Sequence, residues 1–167
     1  MSQTRDVVRK TDYDAQKVEY TGKHKSHTAK NLLVTEKSTY IKFVSPTFEG
    51  AMHDKAILDE TPLTGIPENS TIVQDLGFLG HKPVGIQIMM PEKKPKGKEL
   101  TPEQKESNRQ ISKVRVLVEH AIAGVKRLKI IKDKIRLKIE GIRDTVMYVA
   151  CALHNLRIKT RKPNFSS

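Results

Sequence analysis

Two apolar runs of strand length dominate the first third of the chain. Residues 29–35 (AKNLLVT) and 39–44 (TYIKFV) are separated by the polar Glu36, Lys37 and Ser38, a pattern that predicts a β-hairpin. Residues 53–60 read as a short helix ending before Pro62, and the Pro- and Gly-containing stretch 61–70 as a loop. Residues 70–74 form a short buried strand that ends at Asp75, with Gly77 as a turn residue, and IQIMM at 86–90 makes another strand. KKPKGK at 93–98 is too polar and too rich in Pro and Gly to pack, so 91–100 is a basic linker. From 101 to 128 the period changes to that of a helix. Ile111, Val114, Val118, Ile122 and Val125 form its buried stripe. Thr101 can cap it, Pro102 suits its first turn, and Gln104 completes a Thr-x-x-Gln capping box. Residues 130–140 are ambiguous, since Ile135, Leu137 and Ile139 alternate with Lys and Arg. Ile142, Val146, Val149, Leu153 and Leu156 then mark a final amphipathic helix. No internal repeat is visible, and strands preceding helices point to the α/β class.

Composition narrows this picture. At 167 residues and 37% hydrophobic content, the chain buries one ordinary core, so a single domain over 1–167 is expected. No apolar run is long enough to span a bilayer, and residues 1–10 lack the apolar centre of a signal peptide, which argues against a membrane partner. The single cysteine, Cys151, has no disulfide partner. It fits a small buried hydrophobe in a reducing, cytoplasmic compartment. Charge is uneven. Residues 1–90 hold 11 Lys+Arg against 11 Asp+Glu and residues 91–167 hold 20 against 8, so the entire net charge of +12 lies in the second half. A polyanion is the implied partner, and nucleic acid is the economical one. With 5% aromatics and no tryptophan, backbone contact is favoured over base stacking. A solvated basic surface is the plainer alternative.

The long helix also carries candidate chemistry. Arg115, Glu119 and Lys126 recur at offsets of four and seven and share one face, placing a carboxylate between two cations. An exposed ion pair between Arg115 and Glu119, worth a few tenths of a kcal/mol, accounts for the first two equally well. His24, His27, His53 and His120 lack the paired Cys or His set of a closed zinc site. For His24 and His27, a phosphate contact or plain surface is the better reading, and His120 is expected to pack against its neighbours or support a site residue.

Several segments carry a resemblance to a known family. They are TDYDAQKVEYTGKHKSHTAKN at 11–31, VSPTFEGAMHD at 44–54, VQDLGFLG at 73–80, MPEKKPKGKELTPEQKESNRQISKVRVLVEHAIAGVKR at 90–127, KIRLKIEGIRDTV at 134–146 and ALHNLR at 152–157. In this order they resemble the DDE-superfamily transposases of bacterial insertion sequences, in the branch related to Harbinger elements. The resemblance implies an RNase H-like mixed sheet with flanking helices. It also implies metal-dependent cleavage of element-end DNA followed by strand transfer, with Mg²⁺ or Mn²⁺ held by carboxylates. Two-metal phosphodiester chemistry needs such hard oxygen ligands. The family's VQDLGF-type aspartate corresponds to Asp75, and its Arg-x3-Glu-x6-Lys helix to Arg115, Glu119 and Lys126. Asp75 and Glu119 are thus the implied catalytic and metal residues. Asp54, in a His-Asp pair, is a further metal candidate, or else a helix carboxylate stabilised by the macrodipole. Lys23 and Lys25 in YTGKHK, with Arg115, Lys126 and Arg127, are the implied DNA contacts. The alternative for 20–25 is a strand edge guarded by lysines. A tyrosine common three residues before the arginine is Ser112 here.

One ligand is missing from this correspondence. The family's first aspartate opens a D-x-T-E stretch at a fixed distance ahead of the TDY segment. That register puts Met1 and Ser2 at the aspartate, with Gln3 and Thr4 on the following positions. Asp6 could substitute only after a shift of five residues. The expectation is a C-terminal transposase part with its first strand truncated and no helix-turn-helix-like segment ahead of it, arising as a relic or from a split reading frame. Either it retains the parent activity or it is an inactive basic remnant that binds DNA or an intact transposase. DNA, a second copy or a full-length transposase are the implied partners, and DNA binding would place it at the nucleoid.

Overall fold

The computed structural model describes the chain except for residues 62, 64–65, 98, 137–138, 140 and 162–167. Its elements are β1 (Ser2–Asp6), α1 (Tyr13–Glu19), β2 (Tyr20–Thr21), β3 (Ser26–Thr35), β4 (Ile41–Val44), β5 (Phe48–Glu49), α2 (Asp54–Glu60), β6 (Thr71–Val73), β7 (Gln87–Met89), α3 (Pro102–Val125), α4 (Lys129–Lys132) and α5 (Ile142–Thr160), with a 3-10 turn over Leu76–Phe78. Strand β3 is the spine. β1 runs antiparallel along one edge, from Ser2 opposite Leu32 to Asp6 opposite Thr28, while β2, β5 and β4 pair antiparallel along the rest of its length. A separate parallel pair, β6–β7, completes the strands.

The predicted hairpin is β3–β4. Its turn closes through Glu36 N–H to Tyr40 O at 2.9 Å, with Thr39 at a φ of 68°. The expected helices at 53–60 and 101–128 and the two short strands that follow the 61–70 loop, at 70–74 and 86–90, are also present. Residues 62 and 64–65 of that loop lie outside the described residues. The ambiguous 130–140 stretch opens with α4, after which Ile135 bridges Val7 in parallel; Leu137 falls outside the described residues. The first strand runs over five residues in unbroken register with β3. Its inward positions are Gln3 and Arg5, both 3% exposed, so no apolar alternation announced it.

Successive residues of a strand face opposite sides, and β3 uses this to build two cores. Leu33 packs with Ile41, Ala121, Val125, Ile131, Met147, Ala150 and Cys151, joining α3, α4 and α5 to one face. Leu32 packs with Ile57, Leu58 and Phe78, joining α2 and the 3-10 turn to the other. Helices on both faces define the α/β architecture. α3 and α5 meet closely at Gly124, where a Cβ would stand 2.3 Å from His154 Nδ1. The next residue, Asn155, accepts from Ile41 N–H and donates to Ile41 O, both at 2.8 Å, and so clamps the hairpin to α5.

Polar groups buried beside β3 are paired rather than avoided. Asn31, fully buried, accepts from Arg5 and donates to Ser45 O and Thr47 Oγ1. Ser45 Oγ in turn accepts from Leu32 N–H at 2.8 Å. Asp144 accepts from Thr47 N–H at 2.6 Å. Glu19, 1% exposed, ties α1 to α5 by meeting Arg143 at 2.8 Å, and Lys10 lies at 3.1 Å. Gly50 is required where its N–H donates to Thr28 O, since a Cβ there would lie 1.9 Å from Thr28 Oγ1.

Removing one partner of a buried ion pair leaves the other charge poorly compensated. Arg143→Met is therefore expected to destabilise the fold by roughly 3 kcal/mol in urea unfolding, with Lys10 too exposed to replace the guanidinium. Burial pushes the Cys151 thiol up to about 11. The unfolded chain then releases this proton first, so stability is expected to fall as pH rises from 9 towards 11. At pH 8, iodoacetamide should label Cys151 only on unfolding, as peptide mass mapping would show.

Candidate functional site

The head of β1, the start of α2 and the end of β6 meet on one side of the sheet. Gly50 turns the chain into α2, His53 caps it through Nδ1, and Asp54 occupies its first turn. The macrodipole favours a carboxylate there, but the side chain does more than cap. Asp54 Oδ2 accepts from Ser2 Oγ at 3.0 Å, and Oδ1 accepts from Lys30 Nζ at 3.2 Å. Lys30 also donates to Met52 O at 2.9 Å, which fixes its ammonium beside the helix start. Asp75 follows β6 and caps the 3-10 turn with Oδ1, which accepts from Leu76 N–H at 2.8 Å. Its Oδ2 accepts from Arg115 at 3.1 Å. Gly77, in the same turn, faces Asp54 so closely that a Cβ would stand 3.0 Å from Oδ2. Both carboxylates thus flank one turn.

Met1 lies at the same place. Its nitrogen donates to Leu33 O at 3.0 Å. Burial pushes this ammonium down to about 6, against the opposing pull of Asp54 and Asp75, while Arg115 adds to the depression. The position that the family register assigns to the first aspartate therefore stands within electrostatic reach of Asp54 and Asp75.

Glu119 is placed differently. It lies one helical turn beyond Arg115 on α3, is exposed, and makes no hydrogen bond or ion pair among the described residues. The alternative of an Arg115–Glu119 surface pair is not what forms; Arg115 reaches across to Asp75 instead. Arg115 Nε is buried without a partner among the described residues. Nor do those residues contain a group of three His, Cys, Asp or Glu side chains arranged to hold a metal ion. Asp54, Asp75 and Arg115 are brought together, and Glu119 stands outside their hydrogen-bonding network. Ser112, at the position of the family's tyrosine, turns its hydroxyl back to Asn108 O at 2.8 Å.

Ser2 and Lys30 were not legible as site residues. Ser2 lies on a polar-looking stretch and is brought to Asp54 only by the pairing of β1 with β3, while Lys30 is a lone cation in a largely apolar run and reaches Asp54 from β3 itself. Lys23 and Lys25 sit in the turn between β2 and β3, exposed, with Lys25 at a φ of 51°. That turn lies at the opposite end of β3 from Leu32, roughly 20 Å away at strand rise. Lys126 caps the C-terminus of α3 and Arg127 follows it, exposed. Among the histidines, His53 is the α2 cap, His27 stacks edge-on against Tyr20, and His24 and His120 are exposed. No helix among the described residues is long and apolar enough to cross a membrane.

Comparison with known proteins gives a family match and a relative. A model of the family described as DDE superfamily endonuclease matches residues 4–155. A protein of Microchaete diplosiphon described as a probable transposase for insertion sequence element IS702 is 32% identical over 122 residues, which is 73% of this chain and 44% of that protein. The chain thus spans less than half the length of this curated relative. No solved structure matches.

The Asp75–Arg115 pair is partly solvated, with its side chains 38% and 32% exposed, so it contributes at most about 1 kcal/mol to stability. Arg115→Met should leave the melting temperature nearly unchanged while freeing Asp75 Oδ2. Mn²⁺ binding, followed by electron paramagnetic resonance, is then expected to tighten several-fold, and Asp75→Asn in the same background should reverse the gain.

Proposed function

The chain belongs to the DDE superfamily endonucleases, and on that premise we propose that it is the catalytic-domain part of a DNA transposase which engages DNA through its basic half but does not cleave it unaided. The observation that carries this reading is the meeting of Asp54, Asp75 and the head of β1 around one turn. In the parent reaction, divalent ions activate the attacking oxygen and stabilise the leaving oxygen of a phosphodiester. Here the residue at the head of β1 is Met1 rather than a carboxylate. An RNase H-like topology is the fold this proposal adopts. It is supported by a five-stranded antiparallel sheet followed by a helix, a parallel strand pair and a long helix carrying Arg115 and Glu119.

The donor set fits Mg²⁺ or Mn²⁺ in kind but not in number. Carboxylate oxygens suit such hard cations. Yet Asp54 is engaged by Lys30, Asp75 by Arg115, and Glu119 is outside the cluster. What these side chains do by themselves is electrostatic. Lys30 and Arg115 neutralise carboxylates that would otherwise repel a DNA phosphate. Lys126, eleven residues beyond Arg115 and within about 20° of its face, continues the cationic side of α3. With Lys93, Lys94 and Lys96 in the linker ahead of it, α3 presents DNA with a basic approach to the paired acids.

The test uses supercoiled and linear duplex DNA with Mg²⁺ or Mn²⁺. The 167-residue chain is expected to give no cleavage above background. Met1→Asp, made internal by an upstream tag, should introduce cleavage that Asp75→Asn abolishes. Cleavage by the unaltered chain that disappears in Glu119→Gln would refute the proposal and make Asp54 the replacing ligand.

A further inference from the structure

At the far end of α3 from the carboxylates, a cavity of about 370 Å³ is lined by Arg127, Arg157, Ile158, Thr160 and Arg161. Three guanidiniums from two helices surround it, and among the described residues none of them is paired with a carboxylate. Like charges gathered at one cavity repel unless an anion joins them. The C-terminal end of α5 explains part of the accumulation, because cations are favoured near the last carbonyls of a helix. That argument covers Arg157 and Arg161. The end of α3 does the same for Arg127, two residues beyond Val125, so what the helix ends leave unexplained is the convergence of three exposed guanidiniums on one cleft. Guanidinium is also the group suited to forked contacts with phosphate oxygens.

We propose that the cleft formed by Arg127, Arg157 and Arg161 holds a phosphodiester of duplex DNA, as an anchor separate from the Asp54–Asp75 turn. The proposal rests on the DNA-engaging reading given above and deepens it. Arg127 follows Arg115 by twelve residues, which is roughly 18 Å along the helix axis. At about 3.4 Å per base pair, a duplex lying along α3 with one phosphate at the Asp75 turn presents another at the cleft about five base pairs away. The anchor thus sets where the duplex runs relative to the carboxylates. Ile158 forms an apolar wall of the cleft.

The test measures binding of the 167-residue chain to a labelled duplex by fluorescence anisotropy over a range of salt concentrations. Arg127→Gln combined with Arg161→Gln should lower the slope of log affinity against log salt by about two. Neither residue makes an ion pair among the described residues, so the thermal midpoint should hold. Lys37→Gln with Lys82→Gln removes the same charge elsewhere and should leave the slope within error of the parent. Shortening the duplex to fewer than about five base pairs on one side of its centre should reproduce the loss in the parent chain and add nothing in the double variant. Inorganic phosphate at fixed ionic strength is expected to compete no better than chloride, and duplex RNA to bind more weakly than DNA. An unchanged slope in the double variant would overturn the cleft while leaving the wider DNA reading in place. Displacement of DNA by inorganic phosphate would reassign the cleft to a free phosphate, and tighter binding of RNA would reassign it to RNA. No binding to DNA at low salt would remove both proposals.

Discussion

Strand β3 exchanges backbone hydrogen bonds along both edges, with β1 on one side and β2, β5 and β4 in succession on the other. Everything that positions the acidic turn is referred to it. β1 brings Ser2 to Asp54 because Ser2 lies opposite Leu32, and Lys30 reaches Asp54 from β3 itself. Because Leu32 and Leu33 face opposite layers, a slip of one residue would exchange the two cores and turn Lys30 away from α2. The register of a single strand therefore governs both the packing and the electrostatics of the site.

The cost of this arrangement is a buried polar layer. Asn31, Ser45, Thr28 and Glu19 are almost wholly shielded from water and each finds a partner, although Glu19 meets Arg143 and Lys10 through Oε1 and its Oε2 has none among the described residues. Arg5 is less complete. Two of its guanidinium nitrogens have no partner among the described residues, and burial pushes its pKa down to about 10, with Arg143 adding repulsion. Polar interiors of this kind disfavour alternative pairings, since any other register strands a donor or a charge. By contrast, the Arg115–Asp75 pair is open to water and adds little to stability. Its significance is local, because it determines which charge Asp75 presents.

The hairpin, α2, α3 with its capping box and α5 were legible in the sequence because apolar periodicity and end signals agree there. Thr101 and Gln104 form the reciprocal hydrogen bonds that their spacing promised. β1 was not legible, since its inward residues are polar and their burial depends on Asn31, twenty-six positions away from Arg5. α1 escaped for a related reason. Its most buried residue is Glu19, an acid that sequence rules place at the surface. For the site, Asp54 and Asp75 were identified from residue order, but their closeness was not, because it depends on Gly77 accommodating Asp54 across the turn. The preference of Arg115 for Asp75 over Glu119, four residues away on its own helix, is a tertiary choice that helical spacing does not reveal.

Gly124 leaves α3 little freedom. With His154 Nδ1 where a Cβ would be, and His154 Nε2 within hydrogen-bonding distance of Thr39 O at 3.0 Å, sliding or rolling of α3 drives backbone into an imidazole already held by the hairpin. Glu119 therefore travels with a rigid body. The β6–β7 ribbon is lighter, with three residues in each strand and no hydrogen-bonded neighbour strand among the described residues. What ties that ribbon to the rigid body is the Arg115 guanidinium, which reaches from α3 to Asp75 at 3.1 Å.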